Sequence, residues 1–331
     1  MTDTDSSPTD AATDPLGQLI RAAGRRPSPS AAEYERVRLA AHLAWQMKVH
    51  SQRRRRLAWW ALAASVATAG VAVLTTLPWA PPAPVAELAM LRGPVERFAV
   101  DQARWEPVAR GAKIAAGDRL RTAPDGGAVF TVAGRVAIRV RGGTDCTFDD
   151  SMRVTLGGGT LYVDTGAGGA GAALEITTPH GVVRHVGTQY EVRALTTELR
   201  VRVREGRVRL DAGAATPHET VAGEELRVAA GGAVERRPIA TDSDEWRWAE
   251  ALAPAIELDG GSAFDALQWV ARETGKRLVF EDSNVELLAR NAVIRGSSAG
   301  LEPMQILEVV MATSAGLDYR IGEGTLIIRR R

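Results

Sequence analysis

The sequence predicts a three-part chain: a single transmembrane helix, then a mainly β domain, then a small α/β domain of βαβ-repeat type. The β domain is expected as short, glycine-punctuated strands in a solenoid- or sandwich-like arrangement. Three observations carry this. Residues 57–77 form an apolar run without a charge, long enough to cross a bilayer core. From 87 to 237 hydrophobic residues alternate in period two between glycine-marked turns. After residue 240 the period lengthens to about 3.6. At 331 residues the chain exceeds one ordinary domain, and 33 glycines with only 5% aromatics fit many turns and lean strands. The parts read as a disordered tail with a short helix (1–29), an amphipathic helix (30–56), the span (57–77), a proline-rich linker (78–86), the β domain (87–237), a linker (238–252) and the α/β domain (253–331).

The first fifteen residues are Thr, Asp, Ser, Pro and Ala almost throughout, too polar to offset the entropy of ordering. Ser30 with Glu33 forms a capping-box signature that opens a helix. Along it Tyr34, Val37, Ala41, Trp45 and Val49, with Arg38 beside them, share one face. That apolar stripe has two readings. It lies on the inner leaflet, held by the cations that follow, or it docks into a groove on a cytoplasmic protein with Trp45 and Tyr34 as anchors.

Arg53, Arg54, Arg55 and Arg56 stand immediately before the span, whereas the far side offers prolines and Glu87 before its first cation at Arg92. Positive-inside bias puts the N-terminus in the cytoplasm. Trp59, Trp60 and Trp79 sit at the two boundaries, where indoles anchor. A cleaved signal peptide fits poorly, because its charged leader is a few residues long and more than fifty precede this run. A buried soluble helix would show a polar stripe, which is absent.

In the β domain Val136, Ile138 and Val140 point one way and Arg135 and Arg139 the other; Leu199, Val201 and Val203 likewise share a face. Glu205-Gly206 reads as a turn toward Val208 and Leu210. The arginines are expected on a solvated outer face, and without interleaved aromatics they do not suggest nucleic-acid binding. Net charge is +1, which gives no global field to attract a polyanion. The single Cys146 excludes an intramolecular disulfide.

In the α/β domain Ser262 and Asp265 cap a helix that buries Leu267 and Val270 and ends at Gly275, followed by a strand at 277–281. Asn291–Gly296 reads as a strand. Glu302–Ser314 reads as a helix with Pro303 in its first turn and Ile306, Leu307 and Val310 inward. Leu317–Ile321 and Thr325–Arg329 form a closing hairpin.

Candidate chemistry is thin. Gly166, Gly168 and Gly171 spell G-x-G-x-x-G, but a strand rather than a helix is expected next, so no dinucleotide site is read. His180 and His185 are read on one strand, facing opposite sides, with no third ligand in view. Asp149-Asp150 and Asp242, Asp244 and Glu245 fall at turn or linker positions where charge is solvated. No nucleophile motif stands out. The expectation is a protein that is not an enzyme and uses no cofactor, metal or small-molecule substrate.

Several runs of the β region carry a resemblance: GDRLRT with Gly117, Asp118 and Thr122; TTPHGVVRHVGTQYEV with Thr178, Pro179, Gly187 and Thr188; and VREGRV with Gly206. In order and spacing they resemble FecR-type proteins, apart from Ala133-Gly134-Arg135 where the family tends to show Asp-Gly-Ser. The runs FDALQWVARETGKRLVFE and LEPMQILEVVMATSAGLDYRIGEGTLIIR resemble the short STN domain of secretins and TonB-dependent receptors. The resemblance implies an inner-membrane protein with periplasmic C-terminal domains. It would carry a signal from the periplasmic signalling domain of a TonB-dependent outer-membrane receptor to a cytoplasmic extracytoplasmic-function (ECF) sigma factor, as its anti-sigma factor or regulator. The Tyr34–Val49 helix would hold the sigma factor. The alternative is a membrane-anchored scaffold for a receptor or secretin assembly, with no sigma-factor binding.

Overall fold

The computed structural model describes residues 15–24, 30–43, 45, 83–99, 103–166, 174–213 and 217–331. The expected span 57–77, Arg53–Arg56, Val49, Gly168 and Gly171 lie outside them. Among the described residues no helix is long and apolar enough to cross a membrane. The chain divides into two compact units, Met1–Ala80 and Pro81–Arg331.

Among its described residues the first unit has two helices, α1 (Pro15–Ala22) and α2 (residues 31–43, with residue 45 also helical). The capping box forms as its spacing predicts: the Ser30 amide donates to Glu33 Oε2 at 2.9 Å and the Glu33 amide to Ser30 Oγ at 3.3 Å. The bond from the Ser30 backbone holds the Glu33 carboxyl below its ordinary pKa.

Among its described residues the second unit opens with fifteen strands: β1 (Pro84–Arg92), β2 (Val95–Ala99), β3 (Arg104–Pro107), β4 (Lys113–Ala115), β5 (Arg119–Thr122), β6 (Gly127–Val132), β7 (Val136–Arg141), β8 (Asp145–Asp150), β9 (Arg153–Asp164), β10 (Glu175–Thr178), β11 (Gly181–Ala194), β12 (Glu198–Asp211), β13 (His218–Val221), β14 (Glu224–Ala229) and β15 (Val234–Pro238). They make one branched sheet around one core. The three long strands explain how one sheet encloses a core. Early β9 pairs with β8 and β10, late β9 with β7 and β11. Early β11 pairs with β10, late β11 with β9. Early β12 pairs with β14, late β12 with β13.

At each change of neighbours the inward set switches parity: Val154 and Leu156 give way to Leu161 and Val163, Val183 to Tyr190 and Val192, and Val201 and Val203 to Val208 and Leu210, all buried. An extra residue at a bulge does this, bending the strand while keeping apolar side chains inward. Glu205-Gly206 is therefore not a turn. Strand β12 runs through it, and Gly206 is the bulge, with φ +80°. A Cβ on Gly206 would overlap the Gly187 carbonyl oxygen on the neighbouring strand, so the bend requires glycine.

The segment read as a linker is ordered. A 3-10 turn (Asp244–Trp246) and the short helix α3 (Arg247–Glu250) lay Trp246, fully buried, against Tyr162. Three helices and one strand follow, α4 (Ala263–Thr274), β16 (Arg277–Phe280), α5 (Ser283–Asn291) and α6 (Pro303–Thr313), then the hairpin β17 (Leu317–Gly322) and β18 (Thr325–Arg330). The sheet order is β16-β18-β17, with β16 parallel to β18. Ser262 caps α4 by accepting the Asp265 amide, and Gly275 ends it in the left-handed conformation. Leu267, Val270, Ile306, Leu307 and Val310 are all at 0% exposure in one core.

The expected strand Asn291–Gly296 is absent. Helix α5 ends at Asn291, and only a single bridge from Val293 to Ser262 remains, so the unit is no regular βαβ repeat. Asp282 starts that helix by accepting the Asn284 and Val285 amides. Its apolar stripe is short, with only Val285 and Ala289 buried and Leu287 left 57% exposed.

Candidate interaction site

In the first unit the side chains of α2 are exposed. Tyr34, Val37 and Trp45 are between 62% and 69% exposed, and Ala41 and Arg38 are open beside them. Arg38 stands 3.5 Å from Glu35, and His42 stacks with Trp45 at 6.1 Å between ring centroids. Sequence reading missed the opposite face, where Leu39 and Leu43 are also exposed. Their four-residue spacing was the available signal. Two apolar stripes on one helix suit a site gripped from two sides.

In the second unit the expectation for the arginines fails in an informative way. Arg135, Arg207 and Arg209 are exposed, but Arg139, Arg202 and Arg204 are buried. The outer face of the sheet is roofed by the 3-10 turn, α3 and α4. Across it one row of residues, in cross-strand register, reads Arg139, Tyr162, Glu191, Arg202, Glu225 and Arg237. Charges alternate along the row, which is what stacked strands favour.

Arg139 donates to the Ala249 carbonyl at 2.7 Å and to Glu273 Oε2 at 2.7 Å, with its guanidinium 4.9 Å from the Tyr162 ring centroid. Burial opposes its charge, but Glu273, Tyr162 and Asp164 outweigh burial and raise its pKa. Burial raises Glu273 as well. Arg204 donates to the carbonyls of Thr241 and Glu273 and to Glu250 Oε1, at 2.6 to 2.7 Å. Arg272 reaches back from α4 to Asp164 and Glu205, each at 2.5 Å.

Asp242 is not merely solvated either: it accepts from Lys276 at 2.7 Å and from the Gly324 amide at 3.1 Å. Glu245 pairs with Arg202. Asp244 pairs with Arg247 and stays exposed. Gly275 closes the seam, since a Cβ there would overlap the Thr241 carbonyl oxygen and Arg204 Nε. The seam ties the sheet to the C-terminal α/β unit through ion pairs and hydrogen bonds to backbone carbonyls.

The motif residues of the β region hold turns and bends. Gly117 turns the chain with φ +87°, and buried Asp118 accepts the Ala115 amide at 2.9 Å. Thr122 donates to the Arg141 carbonyl and accepts the Thr144 amide. Thr178 donates to the Gly181 carbonyl around Pro179 and accepts the His180 amide. Gly187 and Thr188 form the β11 bend opposite Gly206, where the Thr188 amide donates to Thr165 Oγ1 at 3.0 Å.

The groups that looked chemical are occupied structurally. His180 sits in the turn before β11, not on the strand, with Nε2 2.7 Å from the Leu195 carbonyl oxygen. His185 Nε2 accepts the Leu174 amide, and burial lowers its pKa. Asp149 accepts the Thr155 hydroxyl and Asp150 the Met152 amide. Burial pushes the Cys146 thiol up to about 12, which removes the thiolate that chemistry would need.

Residues 118–209 match the FecR protein family, and this stretch is a FecR domain. It runs from Asp118 to Arg209 and so takes in the bends of all three long strands. Two crystal structures of a candidate anti-sigma factor from Parabacteroides distasonis are similar to the chain at 16% identity. One has a TM-score of 0.35 and covers 64% of this chain and 98% of its own. The other has a TM-score of 0.34, with 64% and 99% covered. No match is found among curated proteins.

Proposed function

We propose that the chain is a single-pass inner-membrane signal transducer of the FecR type. Its N-terminus lies in the cytoplasm and its second unit in the periplasm, and it regulates an ECF sigma factor in response to a TonB-dependent receptor. The match of residues 118–209 to the FecR family carries this reading. The exposed two-sided helix α2 supports it, as a segment built to be held by another protein. The uncharged run 57–77 behind four arginines supports the topology. In this reading the α/β unit, STN-like in its sequence, meets the receptor's signalling domain by strand addition along β17, an edge of its sheet. The arginine seam passes its state to the FecR domain.

The test is co-purification of the full chain, wild type and with Tyr34→Ala and Trp45→Ala together, from cells grown with and without an inducing stimulus. A sigma factor that accompanies the wild type and is lost with the double substitution is the expected result. If none accompanies the wild type, the chain is an envelope scaffold instead. A C-terminal reporter that is active in the cytoplasm would overturn the topology.

A further inference from the structure

Beside the charge-alternating row of the large sheet lies a second row that does not alternate. Thr160 on β9 faces Arg193 on β11, Arg193 faces Arg200 on β12, and Arg200 faces Arg227 on β14. Arg141, at the end of β7, extends the same row beyond Thr160. Like charges directly opposite on neighbouring strands are destabilising. Arg141, Arg193 and Arg200 of this row line an open cleft of about 630 Å³, as do Arg202, Arg247 and Trp248.

Three carboxylates line the cleft, and among the described residues none of them pairs with Arg141, Arg193 or Arg200: Glu302 lies exposed at the N-cap of α6. Glu245 is taken by Arg202 and Asp244 by Arg247. Arg200 has only long contacts, 3.5 Å to Glu191 and 3.9 Å to Glu225, and both acids are closer to other donors. Its Nε is buried without a hydrogen-bond partner. Burial, and after it the neighbouring Arg202, push the Arg200 pKa below its ordinary value, against the pull of Glu191 and Glu225. Arg193 is half-buried and has no carboxylate in reach among the described residues, and Arg141 has only the face of Trp248, 5.5 Å from its ring centroid. Such an arrangement costs stability in the free protein and is relieved by an anion.

The dimensions select the kind of anion. Arg141, Arg193 and Arg200 stand on β7, β11 and β12, with β9 between the first two. At about 4.8 Å between strands the line spans roughly 14 Å. A compact anion reaches one or two of these guanidinium groups. An extended chain places same-face side chains about 7 Å apart, so three alternate acidic residues cover the whole line. Walls with little apolar surface beyond Trp248 and Ala251 leave charge as the source of affinity.

We propose that this cleft docks an extended acidic segment, with carboxylates at alternate residues, presented by a protein partner. The site is independent of helix α2 and of the β17 edge, so it stands or falls separately from the sigma-factor reading.

The test is titration calorimetry on the full chain in detergent micelles, with the peptide Glu-Gly-Glu-Gly-Glu as probe and its glutamine counterpart, succinate and inorganic phosphate as controls. Expected is binding of the acidic peptide alone, weakening with added salt. Arg193→Gln and Arg200→Gln each reduce affinity roughly tenfold or more. A purely structural role for these arginines would lower the melting temperature on substitution; the proposal expects it unchanged or raised, and Arg193→Gln keeps the test open if Arg200→Gln fails to fold. No peptide binding overturns the proposal. So does binding that survives both substitutions, or succinate and phosphate binding as tightly as the peptide.

Discussion

Replacing Glu273 by Gln tests whether the seam is as dry as its geometry states. The Arg139 side chain has no exposed surface and Glu273 has 4%, with 2.7 Å between Nη2 and Oε2. The next carboxylate, Asp164, is 3.9 Å away and already held by Arg272 and Gln189. Removing one partner of such a pair leaves a buried charge without its counterion, a cost of about 3 to 5 kcal/mol. Glutamine still accepts a hydrogen bond, which places the expected loss near 3 kcal/mol. For a unit of this size that lowers the melting temperature by roughly 10 °C. Tryptophan fluorescence reports it directly, because Trp246 is buried at the same seam. The double substitution Arg139→Met with Glu273→Leu should recover much of the loss, since apolar side chains of similar volume replace buried pairs well. An unchanged melting temperature for Glu273→Gln, or strictly additive effects in the double-substitution cycle, would refute a desolvated pair.

Three further outcomes follow from the same structure. Glu225 is held down to about 2 by Arg237, Arg202 and Arg227 against the opposing effect of burial. A depressed carboxylate adds stability that is full above pH 4.5 and lost as pH falls toward 2, here about 3 kcal/mol; acid unfolding of Glu225→Gln should lose this dependence in that window. Gly206→Ala places a Cβ against the Gly187 carbonyl at positive φ, and a loss of more than about 1 kcal/mol in urea unfolding is expected; an unchanged midpoint would show that the bend relaxes freely. Val203→Asp puts a carboxylate at a position with no exposure, where Val burial alone contributes about 1.5 to 3 kcal/mol; retention of the wild-type far-ultraviolet spectrum and melt would place that face outward.

Much of the β architecture was legible because period two is a local signal. Val136, Ile138, Val140, Leu199, Val201 and Val203 are buried as their alternation requires. What alternation cannot tell is what covers the other face. Arg139 and Arg204 read as solvated because nothing local marks the arrival of Trp246, Glu250 and Glu273 more than forty residues later. Glu205-Gly206 looked like a turn because glycine at positive φ serves turns and bulges alike; only the partner strand decides. Helix α5 was hidden by a narrow stripe, although Asp282 offered a capping signal. The exposed face of α2 was half legible: Tyr34 and Trp45 stood out by size, whereas Leu39 and Leu43 passed as ordinary helix formers.

The roof over the large sheet also governs how the protein can be cut. Ending the chain after Pro238 would keep every strand of the large sheet yet strip Arg139, Arg202 and Arg204 of Ala249, Glu250, Glu245 and Glu273. The shortened piece would show a cationic plate, prone to adhere to resins and polyanions. Binding data gathered on such a fragment would describe the exposed plate, and partners found with it deserve checking against a version that extends to Arg331.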